Sequence, residues 1–158
     1  MVNIGDTAPA FTLKTTDKSD VSLADYSGKT VILAVYPGAF TGVCDKEMCA
    51  FQDNLAKLND SNATVLGISV DSPWANAEFA RKYNLEFTLL SDVDRTVVTA
   101  YDATFVGLGG IYGSVSANRV VIVIEKEGVV QHRWVAENSG FEPDYDAVVT
   151  LAASLSFL

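Results

Sequence analysis

The chain has 158 residues, of which 49% are hydrophobic and 20% charged, and its net charge at pH 7 is −9. These proportions are typical of a folded protein with a hydrophobic core, and the length fits a single domain over residues 1–158. Lys and Arg total only 11, which argues against a nucleic-acid partner, because phosphate binding requires a basic surface.

The sequence also argues against a secreted or membrane protein. The N-terminal MVNIGDTAPAF has no basic segment followed by an apolar one, as a secretory signal would. The longest apolar runs have about seven residues, far fewer than the roughly 20 that a membrane helix needs. The two cysteines then fit a reducing compartment, so we expect a cytoplasmic protein.

The first strong pattern along the chain is a buried strand followed by a helix. Val31 to Tyr36 is a continuous apolar run that ends at Pro37, as in a strand buried on both faces. Apolar residues then recur every three or four positions, which predicts a helix from near Thr41 to Asn59. Its buried face would be formed by Met48, Phe51, Leu55 and Leu58.

Strands and helices alternate through the rest of the chain. The predicted elements are, in order, a strand over Thr64–Val70, a helix from Ser72-Pro73 through Tyr83, a short strand over Phe87–Leu90, a helix over Asp94–Tyr101, two strands over Arg119–Glu125 and Val129–Val135 joined by a turn, and a terminal helix over Pro143–Leu155. This order predicts an α/β thioredoxin-like fold, a mixed central β-sheet with helices on both faces. An N-terminal portion and an insertion near residues 73–101 would extend it.

Cys44 lies in the first turn of the predicted helix. Unpaired backbone N–H groups give that end of a helix about half a positive charge. We therefore expect the pKa of Cys44 to fall below the free value of about 8.5. Thr41 would either cap the helix or direct its hydroxyl into the same pocket. From position alone, a buried inert cysteine is an equal alternative.

The stretch PGAFTGVC, Pro37 to Cys44, resembles the PxxxTxxC signature of peroxiredoxins, which are thiol peroxidases with a thioredoxin-like fold. The segments GDTAPAFTL, GISVDSP, LLSD and NRVVIVIEKEG also resemble peroxiredoxin segments and occur in the same order. The resemblance implies that Cys44 is the peroxidatic cysteine, that Thr41 orients the peroxide and that Pro37 shields the thiol. Arg119 matches the late active-site arginine, and a guanidinium beside a thiolate would also lower its pKa.

The implied reaction is a displacement at oxygen. The Cys44 thiolate attacks hydrogen peroxide or an organic hydroperoxide, water or an alcohol leaves, and the cysteine becomes a sulfenic acid. Thr41, Arg119 and backbone N–H groups of residues 38–44 are the candidate donors that stabilise the transition state. The reaction needs no metal or organic cofactor. Thioredoxin or a similar thiol would then reduce the protein.

Cys49 follows Cys44 by five residues, the spacing of a resolving cysteine in Q-type (bacterioferritin-comigratory) peroxiredoxins, whereas FTGVC resembles the E-type (AhpE-like) branch. Cα atoms five residues apart in an ideal helix are about 8.6 Å apart, but a disulfide requires less than about 7 Å. Resolution by Cys49 would therefore require the helix to unwind. The alternatives are a core cysteine and an external resolving thiol, and either a monomer or a homodimer is possible.

Several other functions compete with a peroxidase. A cysteine hydrolase would need the single histidine, His132, but no third group marks such a site. Two cysteines and one histidine are too few for a zinc site, and a disulfide reductase would carry C-x-x-C. A redox-sensing or chaperone-like binding module would consume peroxide for one turnover only. Glu47 could pair with an arginine, but the helix dipole is sufficient reason for it, and it is not predicted as a site residue.

Overall fold

The computed structural model describes residues 2–138 and 140–155. The strands are β1 Thr12–Lys14, β2 Asp20–Ser22, β3 Thr30–Val35, β4 Ala63–Ser69, β5 Thr88–Ser91, β6 Thr104–Val106, β7 Val115–Ala117, β8 Val120–Ile124 and β9 Val130–Val135. Within these described ranges, seven strands form one sheet in the order β2-β1-β5-β4-β3-β8-β9, and β6 pairs with β7 apart from it. Strands β3, β4 and β5 are parallel, while β1, β8 and β9 run antiparallel to their neighbours.

The helices are α1 Val43–Asp53, α2 Leu55–Asp60, α3 Pro73–Tyr83, α4 Thr96–Ala100 and α5 Tyr145–Leu155. Side chains of α1, α2, α3 and α5 pack on one face of the sheet, and those of α4 and the N-terminal segment pack on the other. The predicted mixed sheet with helices on both faces is therefore confirmed. In the part of the chain that the structure describes, no helix has both the length and the apolar character needed to span a bilayer.

Strand β3 is buried along its whole length because its alternate side chains enter two different cores. One set packs against α1, α2 and α5, and it consists of Ile32, Ala34 and, just after the strand, Tyr36. The other set packs against α4 and the N-terminal segment, and it consists of Val31, Leu33 and Val35. A strand covered on both faces must be apolar at every position, which explains the continuous run in the sequence.

The single helix predicted from Thr41 to Asn59 is wrong, because the structure has two helices there. The first, α1, ends at Asp53 and the second, α2, begins at Leu55. Between them, Asn54 has φ −100° and ψ 2°, and its side-chain amide donates to the Ala50 carbonyl at 2.9 Å. Both helices place apolar side chains in the same core, so the apolar spacing continues across the break.

The short strands β1, β2, β6 and β7 were not predicted. Each has three residues, too few to establish an alternating pattern. Two predicted helices are shorter than expected, since α4 begins at Thr96 and α5 at Tyr145. The remaining predicted strands agree with β4, β5, β8 and β9 to within about two residues.

Gly67, in the middle of β4, allows core side chains to approach the strand closely. A Cβ at this position would lie 2.6 Å from Leu89 Cδ2 and 3.3 Å from Tyr36 Cε1. Tyr36 directly precedes the loop that leads to α1. The absence of a side chain at Gly67 thus helps to set the position of that loop.

We predict that Gly67→Ala lowers the free energy of unfolding by about 1–3 kcal/mol, because Leu89 must leave its favoured rotamer to admit the methyl group. Urea titration followed by circular dichroism measures the effect. Leu89→Ala supplies the control background, since it removes the atom that would clash. An equal cost of Gly67→Ala in both backgrounds would contradict the steric explanation.

Candidate active site

Four of the five predicted site residues meet where β3 ends and α1 begins. Cys44 is the second residue of α1 and is fully buried. Pro37 and Thr41 belong to the loop between β3 and α1. Arg119 directly precedes β8, and the pairing of β8 with β3 brings it to the same end of the sheet. The fifth residue, Cys49, lies farther along α1 and is half-buried.

The Cys44 sulfur is held by a buried guanidinium. Arg119, only 1% exposed, donates from Nη2 to Cys44 Sγ at 3.2 Å. Its Nη1 donates to Glu47 Oε1 at 3.1 Å, and Glu47 is completely buried. Arg119 therefore bridges the thiol and a carboxyl group inside the protein, as its planar set of donors allows.

Thr41 does not cap α1, so that alternative is wrong. The residue at the N-cap is Gly42, which makes no side-chain cap. The Thr41 hydroxyl instead donates to the Gly38 carbonyl at 2.6 Å. The side chain lines a cavity of about 240 Å³ together with Pro37, Leu108, Gly109 and Arg119.

The glycine-rich stretch GLGGIYG contributes two of those cavity residues. It connects β6 to β7 and contains a short 3-10 turn over Leu108–Gly110. Gly109 has φ 65° and Gly110 φ 74°, a left-handed conformation that favours glycine. No pattern in the sequence indicated that Leu108 reaches the predicted site.

Comparisons with known proteins agree with this geometry. The sequence model of the AhpC/TSA family matches residues 4–133. The chain belongs to the AhpC/TSA family of peroxiredoxins. Over 135 residues it is 42% identical to peroxiredoxin bcp of Coxiella burnetii, covering 84% of this chain and 88% of that protein. Over 156 residues it is 36% identical to the chloroplastic peroxiredoxin Q of Populus jackii, covering 98% of this chain and 70% of that one.

A solved structure supports the same assignment. The crystal structure of peroxidoxin BcpB from Mycobacterium tuberculosis superposes with a TM-score of 0.83 at 27% identity, covering 99% of this chain and 97% of that one. The resemblance to peroxiredoxins and the thioredoxin-like fold are thus confirmed, and the protein is a thiol peroxidase. The relatives named bcp and Q correspond to the Q-type branch.

Glu47 is the residue of this peroxiredoxin site that sequence reasoning did not select. It lies three residues after Cys44 on the same side of α1, which was the available signal. Burial raises the pKa of Glu47 to about 8, although Arg119 opposes that effect. Its Oε2 atom has no hydrogen-bond partner among the described residues. Burial and the Arg119 charge therefore act in opposite directions on the protonation of this carboxyl group.

The expected low pKa of Cys44 is wrong, because the peroxiredoxin buries this thiol. Burial is the largest effect and raises the pKa of Cys44. Thr41, Arg119 and the Gly38 backbone lower the pKa but do not offset burial. The pKa of Cys49 is raised as well, first by burial and then by Asp53 and Asp45. Burial therefore outweighs the effects that favour the Cys44 thiolate.

We predict that Arg119→Met raises the pKa of Cys44 further, because the thiolate loses its positive neighbour. Below that pKa, the variant should contain about tenfold less thiolate at a given pH for each additional pKa unit. Ultraviolet absorbance of the thiolate, followed during a pH titration, reports the change as a curve moved to higher pH.

Arg133→Met is the matched control for Arg119→Met. Arg133 lies on β9 and donates to the backbone carbonyls of Tyr101 and Asp102 at 2.8 and 3.0 Å. Its replacement should leave the Cys44 titration where it is. A curve that stays in place, or moves to lower pH, in Arg119→Met would show that the guanidinium does not stabilise the thiolate.

Proposed function

We propose that Cys44 is the peroxidatic cysteine of this enzyme and that it reduces hydrogen peroxide and organic hydroperoxides. The observation that supports this assignment most strongly is the 3.2 Å contact between Arg119 and the Cys44 sulfur beside a small cavity. A buried cysteine with no chemical role needs no guanidinium on its sulfur.

The residues around the cavity can supply what the displacement requires. The sulfur forms a bond to the terminal peroxide oxygen while the O–O bond breaks and its electron pair moves to the other oxygen. That oxygen leaves as water or an alcohol, and Cys44 becomes a sulfenic acid. Over the whole step the thiol proton ends on the leaving group, so the balance needs no cofactor.

Three side chains have separate roles in this proposal. Arg119 binds the peroxide and stabilises the charge that passes from sulfur to the leaving oxygen. The Thr41 hydroxyl, whose side chain also lines the cavity, orients the peroxide. Pro37 is buried and has no N–H group, so it shields the sulfur without adding a competing donor.

We further propose that Cys49 resolves the sulfenic acid as an intramolecular disulfide, with release of water. Both cysteines lie within α1, where ideal geometry separates the Cα atoms by about 8.6 Å and a disulfide requires less than about 7 Å. The first turns of α1 must therefore unwind. Unwinding would break the hydrogen bond from the Tyr83 hydroxyl to Asp45 and remove the burial that raises the pKa of Cys49.

A thioredoxin-like protein or a small thiol would then reduce the disulfide. The alternative is a 1-Cys cycle in which an external thiol reacts directly with the sulfenic acid. Both cysteines are free thiols, as in a reducing compartment, and we propose the cytoplasm. We propose a monomer or a homodimer, since Phe40 packs on Phe79 at 5.3 Å between ring centroids yet remains 44% exposed for a second contact.

Peroxide turnover by the two cysteine variants tests these assignments. Peroxide turnover by Cys44→Ser should fall to the rate seen without enzyme, because no other residue is proposed as the nucleophile. Cys49→Ser should retain turnover with dithiothreitol, which reaches the sulfenic acid, and lose it with thioredoxin. Activity in Cys44→Ser would contradict the proposal, and a wild type that stops after one turnover with thioredoxin would favour a sensor or binding module.

The disulfide has a structural signature of its own. Treatment of the wild type with one equivalent of peroxide should reduce the far-ultraviolet helical signal, because α1 must unwind to join the two cysteines. Reduction should restore the signal. Cys49→Ser is the control and should keep its helical signal while forming a sulfenic acid. A stable sulfenic acid in the wild type, or a solely intermolecular disulfide, would show that Cys49 does not resolve it.

A further inference from the structure

The Gly38–Ala39 peptide group is held from both sides. On one side, the Ala39 N–H donates to Asp71 Oδ2 at 2.8 Å. On the other side, the Gly38 carbonyl accepts the hydrogen bond from the Thr41 hydroxyl at 2.6 Å. These two contacts connect Asp71, in the segment after β4, to the hydroxyl that lines the peroxide cavity.

Asp71 is itself anchored in a buried polar network. Its Oδ2 accepts from the Ser69 hydroxyl at 2.8 Å, and its backbone N–H donates to Ser69 Oγ at 3.2 Å. Asn76, fully buried in α3, donates to Ser69 Oγ at 3.3 Å and to Ser91 Oγ at 3.1 Å. Asn76 also accepts from the Tyr36 hydroxyl at 2.6 Å. The carboxylate is thus tied to the rigid frame formed by β3, β4, β5 and α3.

The orientation of the Thr41 hydroxyl decides what it offers to a peroxide. A hydroxyl has one proton to donate and two lone pairs that accept. The Thr41 hydroxyl donates to the Gly38 carbonyl, and the Cys44 sulfur is its second acceptor, since a hydrogen bond from Thr41 lowers the pKa of that thiol. When the carbonyl holds the proton, the lone pairs of Thr41 are free to accept a hydrogen bond from the O–H group of the peroxide.

A carboxylate on the N–H of the same peptide group strengthens the carbonyl as an acceptor. Hydrogen bonds to ionised groups are roughly twice as strong as neutral ones, and linked hydrogen bonds polarise one another. The contact of Asp71 with Ala39 therefore favours donation by Thr41 to Gly38 over donation to the sulfur.

We propose that Asp71 is a positioning residue that fixes the Gly38–Ala39 peptide and thereby keeps the Thr41 hydroxyl oriented to accept a hydrogen bond from the peroxide. This inference rests on the proposed roles of Cys44 and Thr41. Asp71 lies outside the PxxxTxxC signature and acts on the substrate only through Thr41.

Two rates measured at the same pH test this role. Asp71→Ala should lower the second-order rate constant of the reduced protein with hydrogen peroxide by about tenfold or more, as loss of a positioned hydrogen-bonding group does. Alkylation of Cys44 by iodoacetamide should remain as fast or become faster, because a released Thr41 hydroxyl can turn to the thiolate. Cys49→Ser serves as the background for both measurements, so that Cys44 is the only thiol.

A double-mutant cycle separates positioning from general stability. In a Thr41→Val background, Asp71→Ala should cause no further loss of peroxide rate, because the hydroxyl that it orients is gone. Asp71→Asn should lose less than Asp71→Ala, since its amide oxygen still accepts from Ala39. If Asp71→Ala fails to fold, the near-isosteric Asp71→Asn replaces it in the test. Its peroxide rate should then fall by a smaller factor, while its alkylation rate should not fall.

Asp92→Ala is the matched control. Asp92 Oδ2 accepts from the backbone N–H of Val98 at 2.7 Å, the same kind of bond on the opposite face of the sheet. Its loss should reduce stability without selectively slowing the peroxide reaction.

Three results would overturn the role of Asp71: an unchanged peroxide rate in Asp71→Ala, equal losses in the peroxide and alkylation rates, or a full additional loss in the Thr41→Val background. The proposed function has a separate control. If Cys44→Ser retained the peroxide reaction, the assignment of Cys44 would fail whatever the Asp71 variants did.

Discussion

The buried contact of Arg119 with Cys44 and Glu47 is the constraint on which the site depends. A guanidinium without solvent is costly unless its donors are matched by acceptors. Here the sulfur and the carboxylate occupy two of its nitrogens, at 3.2 and 3.1 Å. Both acceptors project from the first turns of α1, so the ion pair also fixes how that helix sits on the end of the sheet.

The same contact sets a balance between burial and charge. Burial favours the neutral forms of both Cys44 and Glu47, whereas Arg119 favours their anions. The single positive charge of Arg119 therefore stabilises the anions of two acidic groups. When Glu47 is protonated, its negative charge no longer offsets the effect of Arg119 on the sulfur. The reactivity of the thiol is consequently a property of the three groups together rather than of the helix terminus alone.

Patterns within short segments predicted much of this molecule, while contacts between distant segments escaped prediction. The continuous apolar run of β3 and the PxxxTxxC signature indicated the sheet and the position of Cys44. The contact of Glu47 with Arg119 and that of Asp71 with Ala39 join residues 72 and 32 positions apart, and the spacing within one segment does not reveal them. The direction of the Cys44 pKa shift was missed for a related reason, since a sequence does not state how completely a side chain is buried.

The interruption at Asn54 has a consequence for the proposed redox cycle. Helical hydrogen bonding is cooperative within a continuous segment, and the break limits that segment to the 11 residues of α1. Leu55 and Leu58, beyond the break, pack in the core through their own side chains. Native proteins can unfold locally while the rest stays folded, and here Asn54 marks the end of the segment that would unfold. In the cycle proposed above, unwinding would therefore be confined to α1 and would not have to spread past Asn54.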